Sequence, residues 1–467
     1  MEHFKTAVIG GGPGGYETAI RFNQLGISTI CIEKERLGGV CLNWGCIPTK
    51  ALVKVADLYH EMKNANEFGL DRFESEINYE NIYNRKNNVV EKLVSGIEFL
   101  FKKREIPVIK KNITKIEKKD KQFILFSDND EIICSSDHIV IGTGSVPREL
   151  DFLPFDGEVV LSSDHILSMK SLPESLAIIG GGVIGCEFAC IFSQLGVKVE
   201  IIEFLPEIVP TEDNEISKRL SMALKKAGIK IHTKTAVEAG KRCENGIELS
   251  LSNGKTLIAE KVLVSVGRKP FFNIDTQGFV INQEKGFILI DDDCQTNIEN
   301  VFAIGDVTGK LMLAHTASKQ GLLVADVIAK KLLNKERTIK PIEYKNIPNC
   351  IFTNPEIASC GLTEQQAKEQ YQDIKIGKFP FAANGKALGM GAVFGFVKTI
   401  VDAKTDLIIG MHIIGPMATE LIAQASILIN TKTKAEEVSN IIFAHPTISE
   451  CIMESIEDTH KLAIHTI

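Results

Sequence analysis

The feature that most restricts how this chain can fold is a pattern that it carries twice. Thr6-Ala7-Val8-Ile9 reads as a short buried strand, followed by Gly10-Gly11-Gly12-Pro13-Gly14-Gly15, a helix through Leu25, and a strand from Ser28 to Ile32 that ends at Glu33. The same order returns with each number raised by 170: Ile178-Ile179, then Gly180-Gly181-Gly182-Val183-Ile184-Gly185, a helix through Leu195-Gly196, and a strand ending at Glu203. Gln-Leu-Gly recurs at 24–26 and 194–196, and Glu17 recurs as Glu187. Each copy is G-x-G-x-x-G between a strand and a helix, with an acid 18 positions after the last glycine. The glycines permit a tight turn and let a pyrophosphate approach the helix N-terminus, and the acid is placed to bond ribose hydroxyls. Two such units predict an α/β chain with two dinucleotide folds for two different dinucleotides. A duplicated fold with one dead site is the alternative, and the intactness of both fingerprints argues against it.

Glu203 also bears on which nucleotide the second unit takes. A carboxylate at the ribose would meet a 2′-phosphate as a like charge, a repulsion on the order of 4 kcal/mol at ~4 Å and an effective dielectric near 20. No Arg follows it, since Phe204, Leu205 and Pro206 come next. NAD is favoured over NADP.

Between the copies lies Gly38-Gly39-Val40-Cys41-Leu42-Asn43-Trp44-Gly45-Cys46-Ile47-Pro48-Thr49-Lys50, leading into an amphipathic helix. On an ideal helix, positions five apart are separated by about 7.5 Å of rise and face different ways, whereas a disulfide needs Cα atoms within about 7 Å and converging side chains. Bonding of Cys41 to Cys46 therefore requires a loop or distorted turn, which Gly45 and Pro48 make available. Strained, accessible disulfides are the reducible ones. Two buried thiols are the bland reading, and the flanking motifs favour the redox one.

The remainder reads in order. Residues 51–105 are mostly helical, with Leu52, Val55, Tyr59 and Met62 as an apolar stripe, and a short meander surrounds 123–133. A strand from Ile139 runs into a glycine turn ending at Pro147, the hinge into the second unit, and 262–270 is its counterpart on the way out. Val301-Phe302-Ala303-Ile304-Gly305-Asp306 is a strand ending in an acid that either caps the turn or meets a ligand; a helix starts near Ala314. From Tyr344 the pattern becomes α+β, with strands at 350–353, 376–380, 393–401 and 407–413 and helices at 363–370 and 417–431. Near the end, His445-Pro446-Thr447-Ile448-Ser449-Glu450 precedes a helix to about Leu462, and the last residues are His465-Thr466-Ile467. The residues leave two readings of this segment: T-x-x-E as a capping box, or a histidine oriented by Glu450 as a base for thiol chemistry.

With 467 residues, 44% apolar, the chain can fill two to four domains. A net charge of −7 and the lack of a basic block exclude nucleic-acid binding as an electrostatic function. The apolar run at 178–202 is broken by glycines and Glu187, which makes it a βα unit, not a membrane span. Eleven cysteines, scattered without metal-type spacing, indicate a reducing compartment and no metal site; all but Cys41 and Cys46 read as buried small hydrophobes. Met1 leads directly into a strand with no room for a targeting peptide, which points to the bacterial cytoplasm, with a mitochondrial matrix after presequence removal as the alternative.

Taken together, these segments resemble the flavin-dependent pyridine nucleotide-disulfide oxidoreductase family over essentially the whole chain, and within it the dihydrolipoamide dehydrogenase branch. The likeness rests on residues 39–50, both glycine fingerprints, Ala303-Ile304-Gly305-Asp306 and residues 445–450, with similar segments at 351–358, 379–384 and 412–416. Thr49, where many members have Ser, and Trp44, a variable position, are mild departures. The resemblance implies two Rossmann-like domains and an α+β C-terminal dimerisation domain: 1–148 and 271–343 for FAD, 149–270 for NAD, and 344–467 for the interface of a homodimer. It implies FAD contacts at Gly10, Gly12, Gly15, Glu33, Gly39, Val40, Lys50, Gly144, Asp306 and Ala314, and NAD contacts at Gly180, Gly182, Gly185, Glu203, Val237 and Gly267. By the same resemblance Cys41 exchanges with substrate and Cys46 lies against the flavin. Lys50 pairs with Glu187, and His445, oriented by Glu450, serves the cysteines of the other subunit across a cis Pro446 bond. The implied activity is oxidation of protein-bound dihydrolipoamide with reduction of NAD, as the shared component of 2-oxo acid dehydrogenase or glycine cleavage complexes, with their lipoyl domains as partners. Glutathione reductase is disfavoured by Glu203, mercuric reductase by the lack of terminal thiols, and soluble transhydrogenase by the presence of both cysteines. A non-catalytic flavoprotein docking subunit is disfavoured by retention of Cys41, Cys46, His445 and Glu450 together.

Overall fold

The computed structural model describes residues 1–71 and 76–465. Part of the helical expectation at 51–105 and the final Thr466-Ile467 lie outside these residues. The chain forms two compact units, Met1–Ala51 with Glu80–Arg148 and Gly267–Tyr344, and Leu52–Tyr79 with Glu149–Val266 and Lys345–Ile467.

In the first unit the strand His3–Ile9 lies between Thr29–Ile32 and Ile132–Ile141, parallel to both, with Val8 opposite Cys31 and Val140. Its last four residues are all buried, as expected for a parallel strand covered on both faces. The meander is real and longer than the sequence suggests: Ile113–Lys119, Gln122–Ser127 and Ile132–Ile141 run antiparallel, and Val301–Ala303 joins the last of them in parallel. Two helices, Pro13–Gln24 and Ala314–Leu333, pack on one face around Phe22, Val324 and Ile328. They cross closely because a Cβ on Gly321 would sit 2.0 Å from Thr18 Oγ1. The helical reading of 51–105 resolves into Cys46–Lys63, a 3₁₀ turn at Ala65–Phe68, and Tyr79–Lys103.

The second unit holds a parallel sheet in which Ser175–Ile179 lies between Lys198–Ile202 and Lys261–Val264. A three-stranded meander, Val237–Cys243, Gly246–Leu251 and Thr256–Ala259, adds to it and has no counterpart in the sequence reading. The C-terminal part is a five-stranded antiparallel sheet in the order Asn349–Ile351, Ile357–Gly361, Ile408–Ile414, Phe396–Asp402, Ile374–Pro380. Ile357–Gly361 was not foreseen as a strand. Its residues are mostly small, and pairing on both sides places it in the sheet. The helices Ala418–Asn430 and Glu450–Glu457 contribute Leu421, Ile422, Ile452 and Ile456 to the core with Phe379, Phe381 and Met411.

This unit also buries a charge cluster. Lys398, with no exposed side-chain surface, bonds Asp213 Oδ1 at 2.9 Å and Glu364 Oε2 at 2.6 Å and lies 3.0 Å from Glu215 Oε2. Among the described residues no helix is long and apolar enough to cross a membrane, and no group of three His, Cys, Asp or Glu side chains is placed to hold a metal ion.

Candidate functional site

The two glycine turns are built alike. Gly10 and Gly180 have φ of +104° and +106°, where a side chain is strained and where a Cβ would strike Gly142 O and Ser265 O respectively. A Cβ on Gly15 or Gly185 would sit 1.9 or 2.0 Å from the carbonyl of Gly10 or Gly180, so these glycines let the helix pack against its own turn. The middle glycines differ. A Cβ on Gly12 would meet only Gly39 Cα at 3.9 Å, and one on Gly182 nothing within 4 Å. Packing does not require glycine there; a bare approach to the helix N-termini at Pro13 and Val183 does. The acids repeat too. Glu33 accepts the Gly11 N–H at 2.6 Å and the Glu35 N–H at 2.8 Å. Glu203 accepts the Gly181 N–H at 2.6 Å and the Leu205 N–H at 2.7 Å. Each carboxylate oxygen keeps a second lone pair for a ribose hydroxyl.

Around the cysteines the backbone does what the spacing demanded. A helix from Gly39 to Trp44 stops at Gly45, whose φ and ψ of −143° and −111° break the run, and a new helix begins at Cys46. The break brings the Cys46 thiol close enough to act on that of Cys41, and neither is in a disulfide. The Cys46 contact and then burial push the Cys41 thiol up, with the charge of Lys50 acting in the opposite sense. Cys41 is half-buried and Cys46 exposed. Thr49 places its hydroxyl on Gly45 O at 2.7 Å, a bond that Ser would also make, so this departure is conservative. Asn43, which the sequence reading passed over, is buried and ties Leu37 O and Gly39 O together. Gly39 itself lies against Gly12, where a Cβ would come within 2.6 Å of Gly12 Cα, and Val40 is half-buried beside it.

In the same unit Asp306 follows the strand Val301–Ala303, and its side chain does not cap the turn. Ser145 donates its hydroxyl proton to Asp306 Oδ2 at 2.5 Å. Arg268 in turn donates from Nε to Ser145 Oγ at 2.7 Å and from Nη2 to Ser145 O at 2.8 Å. Burial pushes the Asp306 carboxyl up, while Ser145 and Arg268 pull it down. Ser145–Pro147 and Arg268–Pro270 pair as a two-stranded antiparallel ribbon, which is where the two hinge segments meet. Gly144 and Gly267 adopt φ of +74° and +107° with open space at the Cβ position. Gly267 thus opens the return of the chain into the first unit, whereas Val237 begins the meander of the second. Ala314 is the first residue of its helix, with its amide among the unpaired N-terminal donors.

In the second unit Glu187 is buried and accepts the Phe352 N–H at 2.9 Å. Near the C-terminus the two readings of 445–450 merge. Glu450 Oε2 accepts the Thr447 N–H at 2.8 Å, but the Thr447 hydroxyl goes to Ala444 O, so only half a capping box forms. The other oxygen holds His445 Nδ1 at 2.8 Å. Burial works against the charge of Glu450, but Thr447 and His445 outweigh it and hold the carboxyl below its ordinary value. A carboxylate only accepts, so Nδ1 carries the proton and the Nε2 lone pair faces outward on a ring whose side chain is 79% exposed. The His445–Pro446 bond is cis, as expected, and so is Asn354–Pro355, which was not anticipated.

Comparison with known proteins decides the family. The model of the pyridine nucleotide-disulphide oxidoreductases matches residues 4–321, and that of the dimerisation domain of these enzymes matches 347–456. The chain belongs to the pyridine nucleotide-disulphide oxidoreductase family. A dihydrolipoyl dehydrogenase of Bacillus subtilis is 40% identical, with 99% of each chain covered. One of Zymomonas mobilis is 37% identical, again over 99% of each. Among solved structures, an HOCl-induced flavoprotein disulfide reductase of Escherichia coli superimposes with a TM-score of 0.84 at 27% identity, covering 97% of this chain and 99% of that one. Members of this family use FAD and NAD(H), and the two turns fit both: bare middle glycines, helix N-termini and paired acids suit two dinucleotides. The dimerisation domain supports a homodimer.

Proposed function

We propose that this chain is a dihydrolipoyl dehydrogenase, oxidising dihydrolipoamide to lipoamide and reducing NAD to NADH. The observation that carries this reading is the thiol pair held in contact across the break at Gly45, in a chain with two dinucleotide turns. With the pair oxidised, His445 Nε2 removes the proton of a substrate thiol, and the resulting thiolate attacks Cys41 Sγ. The Cys41–Cys46 bond breaks as the mixed disulfide forms, and Cys46 leaves as thiolate. The second substrate thiol then attacks the substrate sulfur and passes its proton to the Cys41 sulfur as the mixed disulfide breaks, leaving lipoamide and a reduced cysteine pair. The first glycine turn, Glu33, Lys50 and Asp306 would hold FAD, whose two-electron chemistry would link that pair to NAD, which Gly180, Gly182, Gly185 and Glu203 would hold. The family resemblance implies that the histidine acts on the thiols of the other subunit, and the match to the dimerisation-domain model supports this reading. The lipoyl domains of 2-oxo acid dehydrogenase or glycine cleavage complexes are the protein substrates, and the bacterial cytoplasm, which keeps thiols reduced, suits eleven cysteines.

NADH formation from dihydrolipoamide tests the reading. Activity in the unaltered protein and its loss in Cys46→Ser and Cys41→Ser are expected; a Cys46→Ser protein at full rate, or turnover of glutathione disulfide with NADPH instead, would remove it. Exposure by itself ranks Cys46 as the entry thiol. Reaction of each reduced single-Ser variant with lipoamide disulfide distinguishes the two orders, since only the variant that keeps the exchanging thiol forms the mixed disulfide.

A further inference from the structure

We propose that Arg268 is a positioning residue for the flavin: acting through the Ser145 hydroxyl, it fixes the Asp306 carboxylate so that Oδ1 faces the ribityl hydroxyls. The inference rests on the FAD reading of the first glycine turn and adds a residue that the sequence motifs leave without a role. A serine oxygen has one proton to give and two lone pairs to receive with. Arg268 Nε occupies a lone pair at 2.7 Å, and Arg268 Nη2 pins the same residue by its carbonyl at 2.8 Å. The hydroxyl proton is thereby committed to Asp306 Oδ2, at a distance of 2.5 Å that belongs to charge-assisted O–H···O⁻ bonds. Oδ2 is then satisfied inside the protein, and Oδ1 is the oxygen left to receive a ligand O–H. A guanidinium can neither lose its proton nor reverse the direction of these bonds. The three residues come from three separate stretches of chain, so the relay also joins the hinge ribbon 145–147/268–270 to the acid that holds the cofactor.

The relay has a signature that a purely structural arginine lacks. Burial already pushes the Asp306 carboxyl up, and Ser145 and Arg268 oppose it; removal of either should let the acid protonate and lose its hold on the ligand as pH falls. FAD release from the holoenzyme, followed by the rise in flavin fluorescence between about pH 5 and 8, above the ordinary carboxylate range, reads this directly. The unaltered protein should retain FAD evenly across that window. Arg268→Met and Ser145→Ala should each weaken retention about tenfold, the loss of one charge-assisted hydrogen bond, and more so toward the acid end. The double variant should lose clearly less than the two single losses combined, and Arg268→Lys, which can still donate to Ser145 Oγ, should recover part of the retention. Retention by Arg268→Met that is as tight and pH-independent as the parent's would overturn the proposal, as would additive losses in the double variant. If Arg268→Met does not fold, Ser145→Ala with and without Arg268→Lys decides: the lysine change must weaken FAD only when Ser145 is present. Failure of the unaltered protein to bind FAD would instead remove the underlying functional reading.

Discussion

Replacing Glu203 by Gln tests the electrostatic basis of cofactor choice. The acid is 8% exposed, and both its oxygens are pinned by backbone N–H groups at 2.6 and 2.7 Å, so it cannot swing away from an incoming 2′-phosphate. Two like charges ~4 Å apart at an effective dielectric near 20 repel by about 4 kcal/mol, close to a thousandfold in affinity. At physiological salt the Debye length is about 8 Å, which trims the repulsion by less than half at that separation. The unaltered protein should therefore prefer NAD over NADP by roughly a hundredfold to a thousandfold in kcat/KM. Glu203→Gln removes the charge and should collapse most of that ratio, chiefly through a lower KM for NADP. It also leaves one of the two backbone donors without its acceptor, at a stability cost of about 1 kcal/mol. Glu33→Gln is the matched control, since Glu33 makes the same pair of backbone bonds in the other copy. It should loosen FAD and leave the NAD/NADP ratio unchanged. Steady-state kinetics with both nucleotides, and flavin content per chain, give the readouts. A ratio unmoved in Glu203→Gln, or an unaltered protein that uses both nucleotides equally, would refute the reasoning.

Three further outcomes are expected. Gly182→Ala, whose Cβ would enter open space, should raise the KM for NAD with little change in Tm, whereas Gly185→Ala, whose Cβ would lie 2.0 Å from Gly180 O, should lower Tm as well. Glu450→Ala strips both His445 Nδ1 and the Thr447 N–H of their acceptor; dihydrolipoamide turnover should fall about a hundredfold while the KM for NAD holds. Lys398→Met leaves the buried Asp213 uncompensated and should cost about 3–5 kcal/mol in the stability of the second unit, seen as a lower Tm. Burial opposes the charges of Asp213, Glu215 and Glu364, but their partners hold each carboxyl below its ordinary 3.8, 4.5 and 4.5. A depressed folded value means that this stabilisation is complete above about pH 4.5 and is lost as pH falls through the depressed values; Lys398→Met should shrink that acid-sensitive component, Lys378 and Lys368 still holding Glu215 and Glu364.

What the amino-acid order determined by itself is everything whose cause lies within a few residues. The glycine turns at 10–15 and 180–185 follow from backbone geometry that only glycine adopts without strain, and their acids follow from a fixed strand–helix–strand length. The break between Cys41 and Cys46 is a local consequence of Gly45, and the bond between His445 and Glu450 joins residues five apart. Tertiary structure alone decided the rest. Ile357–Gly361 becomes a strand because neighbours on both sides supply its hydrogen bonds, and Lys398 is buried because carboxylates from two distant helix starts meet around it. Arg268 reaches Asp306 through a serine 123 residues earlier in the chain. No local pattern encodes such a meeting, since a side chain's polar partner is set by which distant segments the sheet and ribbon bring alongside it, and pairing energy is realised only once they are in register.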